Sequence, residues 1–193
     1  MRPQALCQDI PKVIYAARVP EDVLAAVEGA EPSWVFLLGG NGSEVLGASR
    51  ALRERGFAVF VHIDMCHGIK NDAEGIALLS SLGRPSGIIT THPSAVVAAK
   101  KLGLMTIERI FLLDSASVES GMRNVARTTP DVVEVLPGIL PAQIAMMKHA
   151  LEMPLIAGGL ITQLSQIQAA LEAGACGVST SSQGLIAEAR GLL

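Results

Sequence analysis

Four segments of the chain carry residue types that could do chemistry. Ile156-Ala157-Gly158-Gly159-Leu160-Ile161 and Gly177-Val178-Ser179-Thr180-Ser181-Ser182 each close an apolar run with glycines or hydroxyls. Adjacent glycines let backbone N–H groups come close to an oxyanion, and hydroxyls opposite them add donors. A helix beginning after Ser181-Ser182 would aim its positive end at the same spot. Together these features point to a grip on phosphate by Gly158, Gly159, Ser179, Thr180 and Ser181. Taken singly, the glycines also suit a tight turn, and the serines are good helix N-caps.

The third segment is Val59-Phe60-Val61-His62-Ile63-Asp64, where two-residue alternation puts His62 and Asp64 on one face. Such a pair can bond a ligand's hydroxyls, hold a metal, act as acid and base, or satisfy itself within a core. The fourth is Val132-Val133-Glu134-Val135-Leu136. A carboxylate among four aliphatics must be paired or ligand-bound, because an isolated buried charge is costly. Arg18 and Arg109 are the cations on neighbouring apolar runs, so a structural ion pair of either with Glu134 stands beside ligand contact as a reading. With a strand over 107–113, Glu108 and Asp114 share one parity and Arg109 takes the other.

Other residues narrow the chemistry. Cys66-His67-Gly68-Ile69-Lys70-Asn71-Asp72 is a polar loop that reads as a lid, with Cys66 a bystander thiol rather than a nucleophile. None of the five lysines (Lys12, Lys70, Lys100, Lys101 and Lys148) closes a strand, so a Schiff-base mechanism has no candidate. No carboxylate pair or histidine cluster has metal-site spacing, and no cofactor is expected. The residues read as a binder of a small phosphate more readily than as a catalyst.

The elements that must position these residues recur regularly. Apolar runs fall at 13–17, 35–38, 58–63, 87–89, 107–113, 132–136, 155–157 and 176–178. Near-continuous Val, Ile and Leu over such lengths is the pattern of parallel strands buried on both faces. Helical stretches lie between them at 23–28, 44–55, 95–102, 142–151 and 164–173. Several open on Pro or Ser and several close on Gly. Eight strands alternating with helices predict a single-domain α/β fold over residues 1–193, a compact (β/α)8 TIM-type barrel. An open doubly wound sheet is the competitor, but Ala16-Ala17-Arg18 is not the glycine fingerprint such a sheet carries after its first strand.

Composition sets the outer limits. Half the residues are hydrophobic and only 3% aromatic, so the core is built from Ala, Val, Ile and Leu. The apolar runs are too short to span a membrane, and no signal peptide is evident at the start. Three scattered cysteines, Cys7, Cys66 and Cys176, suggest a reducing compartment, hence the cytoplasm. A net charge of -3 does not advertise nucleic-acid binding, so any RNA contact must use a local basic patch. Basic residues outside the rim fall on helical stretches, Arg50, Arg53 and Arg55; Lys100 and Lys101; Arg123 and Arg127, and read first as solvated faces paired with local acids. A homodimer would enlarge such a patch.

These motifs together resemble the glycerol-3-phosphate-responsive antiterminator family, the regulators of glycerol uptake operons. The resemblance is carried by His62-Ile63-Asp64 with Gly68-Ile69-Lys70 and Asp72, and by Gly87-Ile88-Ile89-Thr90-Thr91. It continues through Arg109 with Phe111-Leu112-Leu113-Asp114, Glu134-Val135-Leu136-Pro137-Gly138, Ile156 through Ile161, and Ser179-Thr180-Ser181. The resemblance implies a β/α barrel that senses glycerol 3-phosphate and binds the leader of a nascent messenger RNA to prevent termination. It further implies that Gly158, Gly159, Ser179, Thr180 and Ser181 hold the phosphate, with His62, Asp64 and Glu134 near the glycerol hydroxyls. His92 stands where the family usually has a basic residue, and Gly184-Leu185-Ile186 where an aromatic is often found. The alternative reading is an enzyme acting on a small phosphorylated polyol or sugar, with Asp64 or Glu134 as base.

Overall fold

The computed structural model describes residues 3–190. Ten strands occur among them: β1 (Val13–Ala17), β2 (Trp34–Leu37), β3 (Gly40–Asn41), β4 (Ala58–His62), β5 (Cys66–His67), β6 (Gly87–Thr90), β7 (Met105–Phe111), β8 (Val132–Leu136), β9 (Leu155–Gly158) and β10 (Gly177–Thr180). Eight of them close into a parallel barrel in the order β1-β10-β9-β8-β7-β6-β4-β2, while β3 and β5 form a separate two-stranded sheet. This is the (β/α)8 barrel that the spacing of apolar runs predicts.

The helices are α1 (Pro3–Asp9), α2 (Pro20–Ala26), α3 (Gly42–Glu54), α4 (Ala73–Gly83), α5 (Pro93–Lys101), α6 (Ser115–Thr128), α7 (Pro141–Leu151), α8 (Leu164–Glu172) and α9 (Gln183–Arg190). Their starts follow from local chemistry. Asn41 accepts from the Ser43 N–H to cap α3, Asp72 accepts from the Gly75 N–H to cap α4, and Asp114 forms a capping box with Ser117 on α6. Proline opens α2, α5 and α7, where its missing N–H costs nothing.

Two compact units are distinguished within the chain, one running to Tyr15 and resuming at Arg109, the other spanning Ala16–Glu108. In the first, β1 pairs with β10, β10 with β9, and β9 with β8, in registers that place Tyr15 beside Thr180, Ser179 beside Gly158, and Glu134 beside Ile156. Its core packs Val133, Val135, Ile144, Met147, Leu155, Ile167 and Val178. In the second, β2 pairs with β4, β4 with β6, and β6 with β7. The few aromatics cluster here: Phe60 stacks on Trp34 at 4.4 Å between centroids and meets Phe36 edge-on at 5.7 Å.

Three expectations need correction. The strand expected at 107–113 runs Met105–Phe111, so Asp114 is a helix cap and shares no strand parity with Glu108. The polar loop after β4 is not a free lid: its Cys66–His67 segment pairs with Gly40–Asn41. The cysteines do not all stay unpaired either, because Cys7 of α1 forms a disulfide with Cys176, the residue before β10. A sequence separation of 169 residues gave no local sign of that pairing.

Candidate functional site

The carboxyl ends of β7 to β10 assemble a charged and hydroxylated cluster. Glu134, in the middle of β8, is fully buried. Its Oε2 accepts from Arg109 Nε at 2.8 Å and lies 2.7 Å from Arg109 Nη2, and its Oε1 accepts from Ser179 Oγ at 2.7 Å. The carboxylate in an aliphatic strand has therefore found its cation on β7 and a hydroxyl on β10, the satisfied arrangement that burial demands. Of the two arginines offered by the sequence, Arg109 is the one that pairs; Arg18 is exposed just beyond β1.

Gly158 ends β9 directly against this cluster. A Cβ at that position would land on Glu134 Oε1 and Ser179 Oγ, so only glycine lets the strand end lie so close to them. Gly159 (φ 78°) and Leu160 (φ 61°) follow in the left-handed region, turning the chain sharply away. For Leu160 that conformation is uncommon, and its side chain is 69% exposed.

The next loop completes the cradle. Thr180 Oγ1 donates to the Ile161 carbonyl at 3.0 Å and accepts from the Ser182 N–H at 3.2 Å, tying the end of β10 to the segment after β9. Ser182 Oγ accepts from the Leu185 N–H as α9 begins. Gln183, the first residue of α9, donates from Nε2 to the Tyr15 hydroxyl at 3.2 Å. A glycine turn, two strand-end hydroxyls and a helix N-terminus thus occupy one end of this unit, which is the composition of an oxyanion site. Ser181 lies exposed between Thr180 and the Ser182 cap. Tyr15 and Gln183 had no sequence signal, because their meeting depends on β1 lying beside β10.

A second polar cluster belongs to the other unit. His62 is the last residue of β4, and Asp64 follows in a 3-10 turn (Ile63–Met65) rather than on the strand. Asp64 Oδ1 accepts from Thr90 Oγ1 at 2.7 Å and from Asn71 Nδ2 at 3.3 Å. Its Oδ2 accepts from the Thr91 N–H at 2.7 Å and from Thr91 Oγ1 at 2.9 Å. His92 Nδ1 and His62 Nε2 lie 3.3 and 3.6 Å from the same oxygen. Burial works against the charge on Asp64. The bonds from His62, the Thr91 N–H and the two threonine hydroxyls outweigh it and hold the carboxyl well below the usual carboxylate range. Nearby, burial and the Asp64 charge push the Cys66 thiol up to about 11, which leaves it a bystander.

Among the described residues no group of three or more His, Cys, Asp and Glu is placed to hold a metal ion, and no helix is long and apolar enough to cross a membrane.

The chain is similar to several known proteins. A family model described as glycerol-3-phosphate responsive antiterminator matches residues 13–186. A crystal structure of a glycerol uptake operon antiterminator regulatory protein from Listeria monocytogenes is 32% identical, with a TM-score of 0.84, covering 89% of this chain and 92% of that one. A glycerol uptake operon antiterminator-related protein from Thermotoga maritima is 31% identical, with a TM-score of 0.76, covering 91% and 98%. An uncharacterized protein of Escherichia coli K12, YgcP, is 30% identical over 181 residues, 94% of each chain.

Proposed function

The chain belongs to the glycerol-3-phosphate responsive antiterminator family, and on that premise we propose that it is a cytoplasmic sensor of glycerol 3-phosphate that binds the leader RNA of a glycerol uptake operon. The observation that carries this reading is the cradle at the ends of β9 and β10. Gly158 is held to a bare Cα by Glu134 and Ser179, Gly159 turns the chain in the left-handed region, and Ser179, Thr180 and Ser181 lead into the start of α9. In β/α barrels, phosphate is gripped at the loops after the last two strands. The Arg109–Glu134 pair supports the cradle from beneath, fixing Ser179 through its hydroxyl.

The two carboxylates favour a regulator over an enzyme. A general base near neutral pH needs a carboxyl raised toward 7. Asp64 is displaced in the opposite direction, and the Glu134 oxygens are committed to Arg109 and Ser179. His62 and Asp64, which the family resemblance implies lie near the glycerol hydroxyls, form a cluster with Thr90 and Thr91 in their own unit.

Thermal melting against rising glycerol 3-phosphate tests the reading, with glycerol and inorganic phosphate as controls. A ligand at about 100 times its Kd adds roughly 2.7 kcal/mol, several degrees for a domain of this size. A shift specific to glycerol 3-phosphate supports the sensor; none, or one matched by phosphate alone, overturns it. Ligand should also tighten leader-RNA binding, and RNA should tighten ligand binding by the same factor.

A further inference from the structure

We propose that the Cys7–Cys176 disulfide is a redox clamp on the seam between β1 and β10, and that opening it weakens glycerol 3-phosphate binding at the far end of β10. The ligand and the reducing compartment rest on the sensor reading above; the clamp itself rests on the bond, its exposure and the strand register.

Bond, close approach and strand register follow one another along the seam. Cys176 is buried directly before β10, and Cys7 of α1 is bonded to it. The chain leaving α1 then crosses the start of β10. A Cβ on Gly177 would land on the Pro11 carbonyl and on Ile10 Cγ2, so only glycine admits that crossing. The Lys12 carbonyl accepts from the Val178 N–H at 2.9 Å. Next in register, Ile14 lies beside Ser179 and Tyr15 beside Thr180, the hydroxyls of the cradle. At the rise of an ordinary strand, Ser179 stands only about 10 Å from Cys176. Other holds on α1 are slight. Its seven residues are too few to persist as a helix alone in water, and it carries no acid in its first turn and no base in its last. It buries Leu6, with Ile10 just after it. The disulfide therefore supplies much of what fixes α1 to the start of β10.

In a reducing compartment such a bond is under constant attack by thiols, and disulfides found there usually act as switches. Exposure sets the order of events. Cys7 is half-buried and Cys176 is sealed, so a glutathione thiolate attacks the Cys7 sulfur. The bond between the two cysteines breaks, and Cys176 leaves as a thiolate that takes up a proton. A second glutathione thiolate then attacks the first glutathione's sulfur, and Cys7 leaves and is protonated in turn. The protein gains two electrons and two protons, and one oxidised glutathione forms. Closure by oxidised glutathione runs through the same steps in reverse. The remaining cysteine, Cys66, is buried with its thiol pushed up to about 11, so it does not compete for either sulfur.

The test compares the full chain closed by oxidised glutathione with the same chain opened by millimolar reduced glutathione. After denaturation, the closed form should show one free thiol and the open form three. Calorimetric titration well below both melting points should give a glycerol 3-phosphate Kd about three- to tenfold weaker in the open form, and ligand should resist opening by the same factor. Peptides covering 177–182 should exchange their amide hydrogens faster when the bond is open. The closed form should also melt roughly 5–15 °C higher, an effect largely of the unfolded chain that does not report on the cradle. Cys7→Ser should behave as the open form and ignore glutathione, while Cys66→Ser should keep the full response. Three free thiols after oxidation, or a bond that reduced glutathione leaves closed, would overturn the clamp. Equal exchange over 177–182 in the two forms would overturn it as well, and so would equal Kd values. Faster exchange on opening, with glycerol 3-phosphate bound by neither form, would sink the sensor reading and leave the clamp on the seam standing.

Discussion

Glu134 in the middle of β8 and Asp64 just after β4 belong to different units of this protein, and the two carboxylates are held by different sets of partners. Glu134 is fully buried and meets a full positive charge, Arg109, plus one hydroxyl. Asp64 keeps a little exposure and is held by many donors at once: His62 and His92 beside one oxygen, two threonine hydroxyls, a backbone N–H and an asparagine amide. The difference shows what burial depth demands. A carboxylate sealed in an aliphatic strand needs a counter-charge, because dipoles alone rarely repay its lost hydration. One at a strand end can be carried by converging dipoles, as oxyanions commonly are.

The sharpest way to break that contrast is to remove the charge of Glu134. Glu134→Gln removes the carboxylate that Arg109 meets at 2.7 Å and should cost about 3–5 kcal/mol in denaturant unfolding. Combining it with Arg109→Met should recover a good part of the loss. If the double variant is no better than the single one, the pair is not the unit that matters.

Gly158→Ala comes next. Its Cβ must displace Ser179 Oγ and Glu134 Oε1, so a loss of about 1–3 kcal/mol is expected, the range for overpacking a filled site. The glycerol 3-phosphate melting shift should fall with it. Adding Ser179→Ala should relieve part of the clash, which a double-mutant cycle would register as coupling.

For Asp64 the expected effect depends on pH. Its folded pKa lies below its ordinary 3.8, so the stabilisation is complete above that pH and is lost as pH falls toward the depressed folded value. Asp64→Asn should therefore be less stable than the parent by about 2 kcal/mol at pH 7. The gap should narrow steadily below about pH 4. A gap that stays constant down to pH 2 would mean the carboxylate's charge contributes nothing.

The smallest effect concerns Cys66. With its thiol pushed up to about 11, partly by the Asp64 charge, it should react only slowly with iodoacetamide at pH 8. Asp64→Asn should speed labelling modestly. Unchanged labelling would show that burial alone protects the thiol.

Much of this organisation was legible in the residues. The apolar runs announced eight parallel strands, since strands buried on both faces have little choice of composition. The Gly-Gly turn and the Ser/Thr strand end were legible too, because backbone close approach and hydroxyl donors leave a local mark at Gly158 and Ser179. Element edges were less legible: the strand expected through Leu113 stops at Phe111, because Asp114 takes up a capping box instead. His62 and Asp64 looked like neighbours on a strand, yet Asp64 sits in a 3-10 turn and reaches His62 from there.

By itself, then, the sequence determined the alternation of strand and helix, the poverty of aromatics in the core, and the presence of one costly carboxylate in β8, all of which are set by local composition and periodicity. Only the tertiary structure decided which partners those residues meet. It chose Arg109 over Arg18 for Glu134, brought Cys7 to Cys176 and Tyr15 to Gln183, and converged Thr90 and Thr91 on Asp64. The physical reason is that barrel closure and strand register fix contacts between residues dozens to well over a hundred positions apart, and no short-range pattern encodes a distance of that kind.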